Sequence, residues 1–283
     1  MKLHIFIFSI LIILLNSILQ AQSINGSYPW IEDYQSGNSI KQRIEPPKGY
    51  QRIKVTPGSF GGWLRHLPLK SKNLSVLDYL GRKRLSSDDS TLAGVIEYSI
   101  RGKKLEQCMD ILYRLYAEYL LSRGNDNHIK FPMPGGQHLY WNDWKQGFRP
   151  EYHGVEITMR RITEPDSSRA AFEQYLKEIF YHSFTQTAYF AYSRIDIQEM
   201  QIGDFIVKKG RRGHAVMIMD IAVDDRGNKV VLIGQGDTPA RQFHLLNYRK
   251  DNPWFPVDEN SDYPELPIKK KMNWSGLRRF CYE

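Results

Sequence analysis

The feature of this sequence that most constrains its fold is a block of apolar, β-branched segments between residues 204 and 246. Strands are predicted over 204–207, 214–223, 230–235 and 241–246, each bounded by turn-forming residues. The sequence Asp-Arg-Gly-Asn at 225–228 is a turn signal that joins the second strand to the third. This block predicts a sheet of strands that are neighbours in sequence.

Two long helices are predicted to precede this block. Apolar residues recur at helical spacing over 103–123, and Gly124 ends the pattern. A second helix is predicted over 167–192, and a further strand over 92–100. Helices that are grouped before a run of adjacent strands favour an α+β fold, in which an antiparallel sheet packs against helices, over an alternating parallel fold.

The N-terminus has the layout of a secretory signal peptide. Lys2 precedes an apolar run over 5–15, and Ala21 is a plausible cleavage residue. The run is shorter than the roughly 20 residues that a membrane span needs, so no stable transmembrane anchor is expected, although an uncleaved anchor is the alternative. We therefore predict a signal peptide over 1–21, export to a bacterial periplasm or beyond, a flexible lead-in over 22–49, and one globular domain over 50–283.

Charge and cysteine content exclude several function classes. The chain has 39 Lys and Arg against 31 Asp and Glu, a formal net charge of +8, but the basic residues are spread over several stretches. Nucleic-acid binding needs a clustered basic stripe, so no nucleic-acid partner is predicted. The positive charge is then explained either by attraction to anionic wall polymers or by a solvated surface without a partner. Two cysteines are too few for a disulfide scaffold or a Cys-rich zinc module. The oligomeric state stays open.

Metal and cofactor sites are not predicted. His128, His138 and His153 fall in one region but lack the short spacing of metal ligands. No Gly-rich phosphate-binding loop occurs. The sequence therefore predicts neither a metal nor a cofactor.

Three short motifs in the strand block bear on chemistry. Gly203-Asp204 opens one strand, Gly213-His214 opens the next, and Gln235 ends the return strand. Here the sequence resembles the papain-like thiol hydrolases of bacterial cell walls, the CHAP and NlpC-type amidases and peptidases. The resemblance covers a minor part of the chain. It implies a papain-like core and a nucleophilic Cys near the start of an earlier helix, for which Cys108 is the candidate.

The resemblance also implies a role for each residue of the site. Cys108 would attack a peptide or amide carbonyl as a thiolate, and His214 would take the thiol proton and return it to the leaving amine. Gln235 or Asp237 would orient the imidazole, and Gln107 would donate a hydrogen bond to the oxyanion. The implied substrate is cell-wall peptide or peptidoglycan.

The expected strand pairing places these groups on one face. If Arg226-Gly227 is a two-residue turn, Asp225 lies opposite Asn228. In that register Gln235 and Asp237 project on the same face as His214, with Asp237 the nearer of the two. A shift of one residue in the turn would move every side chain to the other face.

Aromatic residues are concentrated in a segment over 124–153 that is predicted to be a long irregular loop. Long loops in compact domains are often functional, so Trp141 and Trp144 are candidate substrate-binding residues. The alternative is that these side chains pack over the sheet, because aromatic residues bury large areas.

Cys108 also has a non-catalytic interpretation. It is expected to lie inside the predicted helix, on its apolar face, where a free Cys is usually buried and inert. In an oxidising compartment it would alternatively form a disulfide with Cys281. Either state predicts a binding or structural protein on a related core rather than an enzyme.

A second resemblance covers nearly the whole chain. It rests on GSFGGWLRHLPL at 58–69, QCMDILYRLYAEYL at 107–120, IGDFIVKKGRRGHAVMIMD at 202–220 and LRRF at 277–280. These motifs are similar to those of an uncharacterised family of secreted bacterial proteins, a domain of unknown function. That resemblance implies no activity.

Overall fold

A computed structural model describes residues 28–210 and 212–280 of the 283-residue chain. The signal peptide predicted over 1–21 and Cys281, the disulfide partner considered above, lie outside the described residues. In the part of the chain that is described, no helix is both long and apolar enough to cross a bilayer.

The described residues form a mixed α+β structure. Its α-helices are α1 (Ile40–Arg43), α2 (Phe60–Arg65), α3 (Cys108–Ser122), α4 (Trp141–Lys145), α5 (Arg169–His182) and α6 (Thr185–Ala191). Its strands are β1 (Gln51–Arg52), β2 (Val76–Leu77), β3 (Lys83–Leu85), β4 (Leu92–Val95), β5 (Lys130–Pro132), β6 (His138–Tyr140), β7 (Phe148–His153), β8 (Glu156–Arg161), β9 (Phe205–Lys208), β10 (His214–Val223), β11 (Lys229–Gln235), β12 (His244–Leu246), β13 (Trp254–Pro256) and β14 (Leu277–Arg278).

Eight of these strands form one antiparallel sheet. Its main path runs β14-β9-β10-β11-β12-β4, while β1 pairs with β10 and β13 with β11. β10 is buried along almost its whole length, since α2 and α3 both pack against it. The prediction of an α+β fold with an antiparallel sheet is confirmed, and the strand expected over 214–223 has those bounds.

The predicted register of the β10–β11 hairpin is wrong. Val223 lies opposite Lys229, so residues 224–228 form the loop, and the Asp224 carboxylate accepts hydrogen bonds from the backbone N–H groups of Arg226 and Asn228. A β-bulge between Ile218 and Asp220 then shifts the register again. The turn and the bulge each shift the pairing by one residue. Because the two shifts add to two residues, the side chains beyond the bulge still project on the face that the sequence predicted.

The helix that carries Cys108 begins later than predicted. α3 starts at Cys108 and not at residue 103, because Gln107 has an extended backbone and its N–H donates to the Asp110 carboxylate at 3.0 Å. This is a helix N-cap interaction, which satisfies a donor that has no partner within the helix. The expectation that Cys108 lies inside the helix is therefore wrong, since it is the first helical residue.

The second predicted helix is divided in two. α5 ends at His182 and α6 begins at Thr185, with an extended backbone at Ser183 between them. Ser183 is buried, and its hydroxyl lies 3.2 Å from the Tyr113 hydroxyl on α3. This contact ties the break between the two helices to the helix that carries Cys108.

Two segments that are predicted to be irregular contain ordered, packed structure. Residues 124–153 include β5, β6, α4 and β7 rather than one long loop. Residues 28–49, for which the sequence predicts a flexible lead-in, pack against the core through Tyr28 and Ile40. The Tyr28 hydroxyl donates to the Trp63 carbonyl on α2 at 2.7 Å. The apolar residues of this segment are thus part of the same core as the sheet.

Candidate functional site

Cys108 lies where the start of α3 meets the sheet. Its side chain accepts a hydrogen bond from the backbone N–H of Ala215 on β10, and it is a free thiol with 5% of its surface exposed. Gly236, directly after β11, permits this approach, since a Cβ there would lie 2.9 Å from Ile111 Cγ2 and 3.7 Å from Cys108 Cα. The sheet therefore places the thiol beside the first residues of β10.

His214 is the first residue of β10 and directly precedes Ala215, whose backbone N–H bonds the Cys108 thiol. Its Nε2 atom is 2.7 Å from Gln235 Oε1, at the end of β11. Its Nδ1 atom is buried and has no hydrogen-bond partner within residues 28–210 and 212–280. Gly213 is required before it, because a Cβ there would lie 2.0 Å from Thr185 Oγ1. The imidazole thus has one nitrogen bound to an amide and one nitrogen unpaired.

Asp237 lies near the imidazole but is bound to other groups. Its carboxylate is 3.9 Å from His214 Nδ1, outside hydrogen-bond distance. It is 3.2 Å from Arg241 and 3.4 Å from Lys270, and it accepts the Thr238 N–H at 2.7 Å. Burial raises the pKa of Asp237, but this N–H and the neighbouring cations outweigh burial, so that the pKa lies below its usual value. The structure thus pairs Gln235, rather than Asp237, with the imidazole.

Burial sets the protonation states of the Cys108–His214 pair. It raises the pKa of the Cys108 thiol to about 11, with a smaller contribution from Asp110. It also lowers the pKa of His214, although Gln235 and Asp237 act in the opposite direction. Desolvation penalises the charged form of both groups. At neutral pH the resting pair is therefore a neutral thiol and a neutral imidazole.

Gln107 contributes polar groups directly before the thiol. Its side-chain oxygen accepts a hydrogen bond from Thr238 Oγ1 at 2.7 Å. The backbone N–H of the next residue, Cys108, is among the first N–H groups of α3 that lack an intrahelical partner. An amide NH₂ and a helix N-terminal N–H are both donors that suit a developing oxyanion.

A cleft of about 860 Å³ opens at this site. Its walls come from the start of α3, from residues 133–138 and from α6, and Phe184 and Phe190 are exposed along it. Gln107, Cys108, Gly213 and Thr238 belong to its lining. A ligand of the size of a short peptide has room beside the thiol.

Trp141 and Trp144 do not contribute to this cleft. They are only 1% and 5% exposed, and their rings pack against Tyr175 on α5. Both indoles are buried, as the alternative expected, but they pack against α5 rather than over the sheet. His138, from the same segment, does line the cleft.

The His residues considered in the sequence are distributed between the surface and the cleft. Of the three His considered in the sequence, His128 and His153 are exposed, and only His138 reaches the cleft. Among residues 28–210 and 212–280, no three His, Cys, Asp or Glu side chains are grouped as metal ligands.

His244 is a buried member of the site that sequence reasoning missed. It lies on β12 directly opposite Gln235, and its Nε2 atom is 3.3 Å from Gln235 Nε2. Its Nδ1 atom is 2.9 Å from the carbonyl oxygen of Gln242. The sequence predicted a strand over 241–246 that contains His244. Only the pairing of that strand with β11 shows that His244 lies next to Gln235.

The comparisons with known proteins concern the family alone. No curated protein and no solved structure matches the chain. The family profile described as "Domain of unknown function (4846)" matches residues 40–271, a range that contains every residue of the site described above. This agrees with the resemblance to a domain-of-unknown-function family that the motifs indicated. Since the match covers most of the 283 residues, the chain belongs to the family "Domain of unknown function (4846)".

Proposed function

We propose that this protein is a Cys-His thiol hydrolase that cleaves an amide or peptide bond, with Cys108 as nucleophile. One observation carries the proposal. His214 is bound to Gln235 through Nε2 and leaves Nδ1 unpaired, and the next residue of β10, Ala215, donates its backbone N–H to the Cys108 thiol. A nucleophile, a base and a third group that orients the base form the general pattern of activated-nucleophile catalysis. A papain-like core, with Cys at a helix start and His at a strand start, is part of this proposal.

The reaction begins from the neutral pair. As Cys108 attacks the carbonyl carbon, its thiol proton moves to His214 Nδ1, and the imidazolium retains its Nε2–H bond to Gln235. The oxyanion that forms accepts from the Cys108 backbone N–H and from the Gln107 amide. His214 then returns the proton to the leaving amine, and water hydrolyses the thioester with His214 again as base.

The substrate class in this proposal is bacterial cell-wall peptide. The signal-peptide layout of residues 1–21 supports export, and an exported hydrolase in a periplasm or beyond would meet peptidoglycan. The cleft of about 860 Å³ has room for a short peptide, and its exposed Phe184 and Phe190 offer apolar contact.

A specific observation favours a second candidate function, that of a non-catalytic binding or structural protein. Cys108 is 5% exposed, and burial raises its thiol pKa to about 11. Buried, neutral thiols are usually inert. In this candidate function, the cleft binds a ligand without chemistry and the buried polar groups serve stability.

Thiol alkylation separates the two functions. We expect iodoacetamide to label Cys108 at pH 7.5, and a His214→Ala variant to slow labelling by about a hundredfold, at the low end of what a general base contributes. His66→Ala is the control, because His66 is a partly buried His that is hydrogen-bonded within the fold, to the Gly62 carbonyl, but it lies at the end of α2. Slow labelling that is indifferent to His214 would establish the non-catalytic function.

Turnover is tested with purified peptidoglycan as the probe. The wild-type protein should release peptides with new amino termini or free amines, detected by mass spectrometry, and a Cys108→Ala variant should release none. If labelling depends on His214 but no peptides are released from peptidoglycan, the hydrolase proposal stands and peptidoglycan is excluded as its substrate.

A further inference from the structure

His244 is fully buried, and its protonation is fixed by its surroundings. Its Nδ1 atom lies 2.9 Å from the Gln242 carbonyl oxygen, which can only accept, so Nδ1 carries the hydrogen. Burial lowers the pKa of His244 to about 4, which keeps the ring neutral at physiological pH. The Nε2 atom of a neutral ring with a protonated Nδ1 is an acceptor.

This acceptor fixes the orientation of the Gln235 side chain. The amide nitrogen of Gln235 lies 3.3 Å from His244 Nε2 and donates to it. The amide oxygen is then directed at His214 Nε2, 2.7 Å away. Rotation of the amide by half a turn would place its oxygen against the lone pair of His244 Nε2, which is repulsive, and would break the bond to His214.

The same logic fixes the hydrogen on His214. An amide oxygen only accepts, so His214 Nε2 must donate, and the neutral ring has a bare Nδ1. The charged groups that face this ring are Asp237, Lys270 and Arg241. None of them hydrogen-bonds to Nδ1, and the Asp237 carboxylate lies 3.9 Å away. In the proposed function, this bare nitrogen is the one that takes the proton from Cys108.

We propose that His244 is a positioning residue that, through Gln235, holds His214 in the Nε2–H tautomer and leaves Nδ1 as the base for the Cys108 thiol. The inference rests on the proposed function for its use, but the tautomer itself does not depend on catalysis. The chain of hydrogen bonds begins at a backbone carbonyl and runs through three buried side chains across β12, β11 and β10.

Nitrogen NMR of protein with ¹⁵N-labelled histidine tests the proposal, with His214 assigned by comparison with a His214→Ala variant. In the wild-type protein we expect His214 to be the Nε2–H tautomer at pH 7.5. A His244→Phe variant frees the Gln235 amide to turn, and the tautomer preference should fall by roughly tenfold, the equivalent of one buried hydrogen bond. Alkylation of Cys108 should slow in the same variant.

A His244→Gln variant should restore both the tautomer and the labelling rate, since an amide again supplies a donor and an acceptor. A His66→Gln variant, which changes a His that lies outside the cleft, should alter neither. A wild-type His214 with its hydrogen on Nδ1 overturns the proposal even if His244→Phe does not fold. An unchanged tautomer in folded His244→Phe overturns it as well.

The result also separates this inference from the proposed function. A tautomer that depends on His244, together with slow labelling that is indifferent to His214, would support the positioning of the imidazole and reject the hydrolase. If labelling depends on His214 but the His214 tautomer does not change in His244→Phe, the hydrolase is supported and the positioning role of His244 is rejected.

Discussion

The two ends of β10 each hold a buried polar side chain, and they differ in how completely it is hydrogen-bonded. Toward the C-terminal end, Asp220 is fully buried and uses both oxygens, which accept from Arg65 Nε at 2.6 Å and Arg52 Nε at 2.7 Å. One oxygen also accepts the Ile221 N–H. At the N-terminal end, His214 uses Nε2 alone and leaves Nδ1 without a partner among the described residues.

This difference is what the proposed function would require, a structural cluster at one end of β10 and a catalytic base at the other. A buried polar atom without a partner costs about 1–3 kcal/mol, and such atoms are uncommon in folded proteins. The Asp220 cluster avoids this penalty and ties β1 and α2 to the centre of the sheet. At the His214 end, Nδ1 retains this penalty at the strand start that contacts a free thiol near the cleft, and the proposed catalytic role rests on that arrangement.

The largest effect that would test this contrast is expected at Asp220. Replacement by Ala leaves the buried Arg65 and the largely buried Arg52 without their shared anion, and we expect the free energy of unfolding to fall by about 3–5 kcal/mol. Urea unfolding measures this change. The alkylation rate of Cys108 in the folded variant should stay at the wild-type value, because Asp220 has no contact with His214 or the thiol.

Asp225→Ala is the matched control for this variant. Asp225 is exposed in the loop after β10, and its replacement should change stability by less than about 0.5 kcal/mol. If Asp220→Ala slowed alkylation as strongly as His214→Ala, the two ends of β10 would not be independent and the contrast would be lost.

A smaller effect is expected from Gly236→Ala, which tests how the sheet positions the thiol. The new Cβ would lie 2.9 Å from Ile111 Cγ2 and 3.3 Å from the Gln107 carbonyl oxygen. Overpacking of this kind costs about 1–3 kcal/mol. We expect a matching loss of stability and a slower alkylation of Cys108, since the start of α3 must move away from β11.

Gly37→Ala provides the comparison for that variant, because a Cβ at Gly37 meets nothing within 4 Å. It should change neither stability nor alkylation. A loss of stability in Gly236→Ala with an unchanged alkylation rate would show that this close approach does not set the position of Cys108.

The sequence predicted where the strands of the site lie, but not the register in which they pair. The apolar run over 214–223 defines β10 because its residues are buried on both faces, and local pattern is sufficient for that. The register of the hairpin depended on a capped loop at Asp224 and on a bulge near Ile218, neither of which has a periodic signal. His214 and Gln235 were nevertheless assigned to one face, because the two shifts cancelled in their effect on facing.

Helix ends and long-range packing were the least predictable features. The start of α3 depends on one bond from the Gln107 N–H to Asp110, and without it Cys108 was placed inside a helix. The burial of Trp141 and Trp144 depends on α5, which is distant in sequence. His244 could be placed only after β12 was known to pair with β11. Tertiary pairing, rather than local propensity, determines all three of these features.

The smallest effect concerns pH at the His214 end of β10. Burial lowers the pKa of His214 from its usual 6.5, so the neutral base persists below that pH in the folded protein. We expect the alkylation rate of wild-type Cys108 to hold its value as pH falls to 6.5 and to decline only at lower pH. In His214→Ala the rate should instead increase about tenfold per pH unit toward the thiol pKa of about 11, because only the thiolate reacts. Parallel profiles for the two proteins would mean that the unpaired Nδ1 takes no proton from Cys108, and both ends of β10 would then be structural.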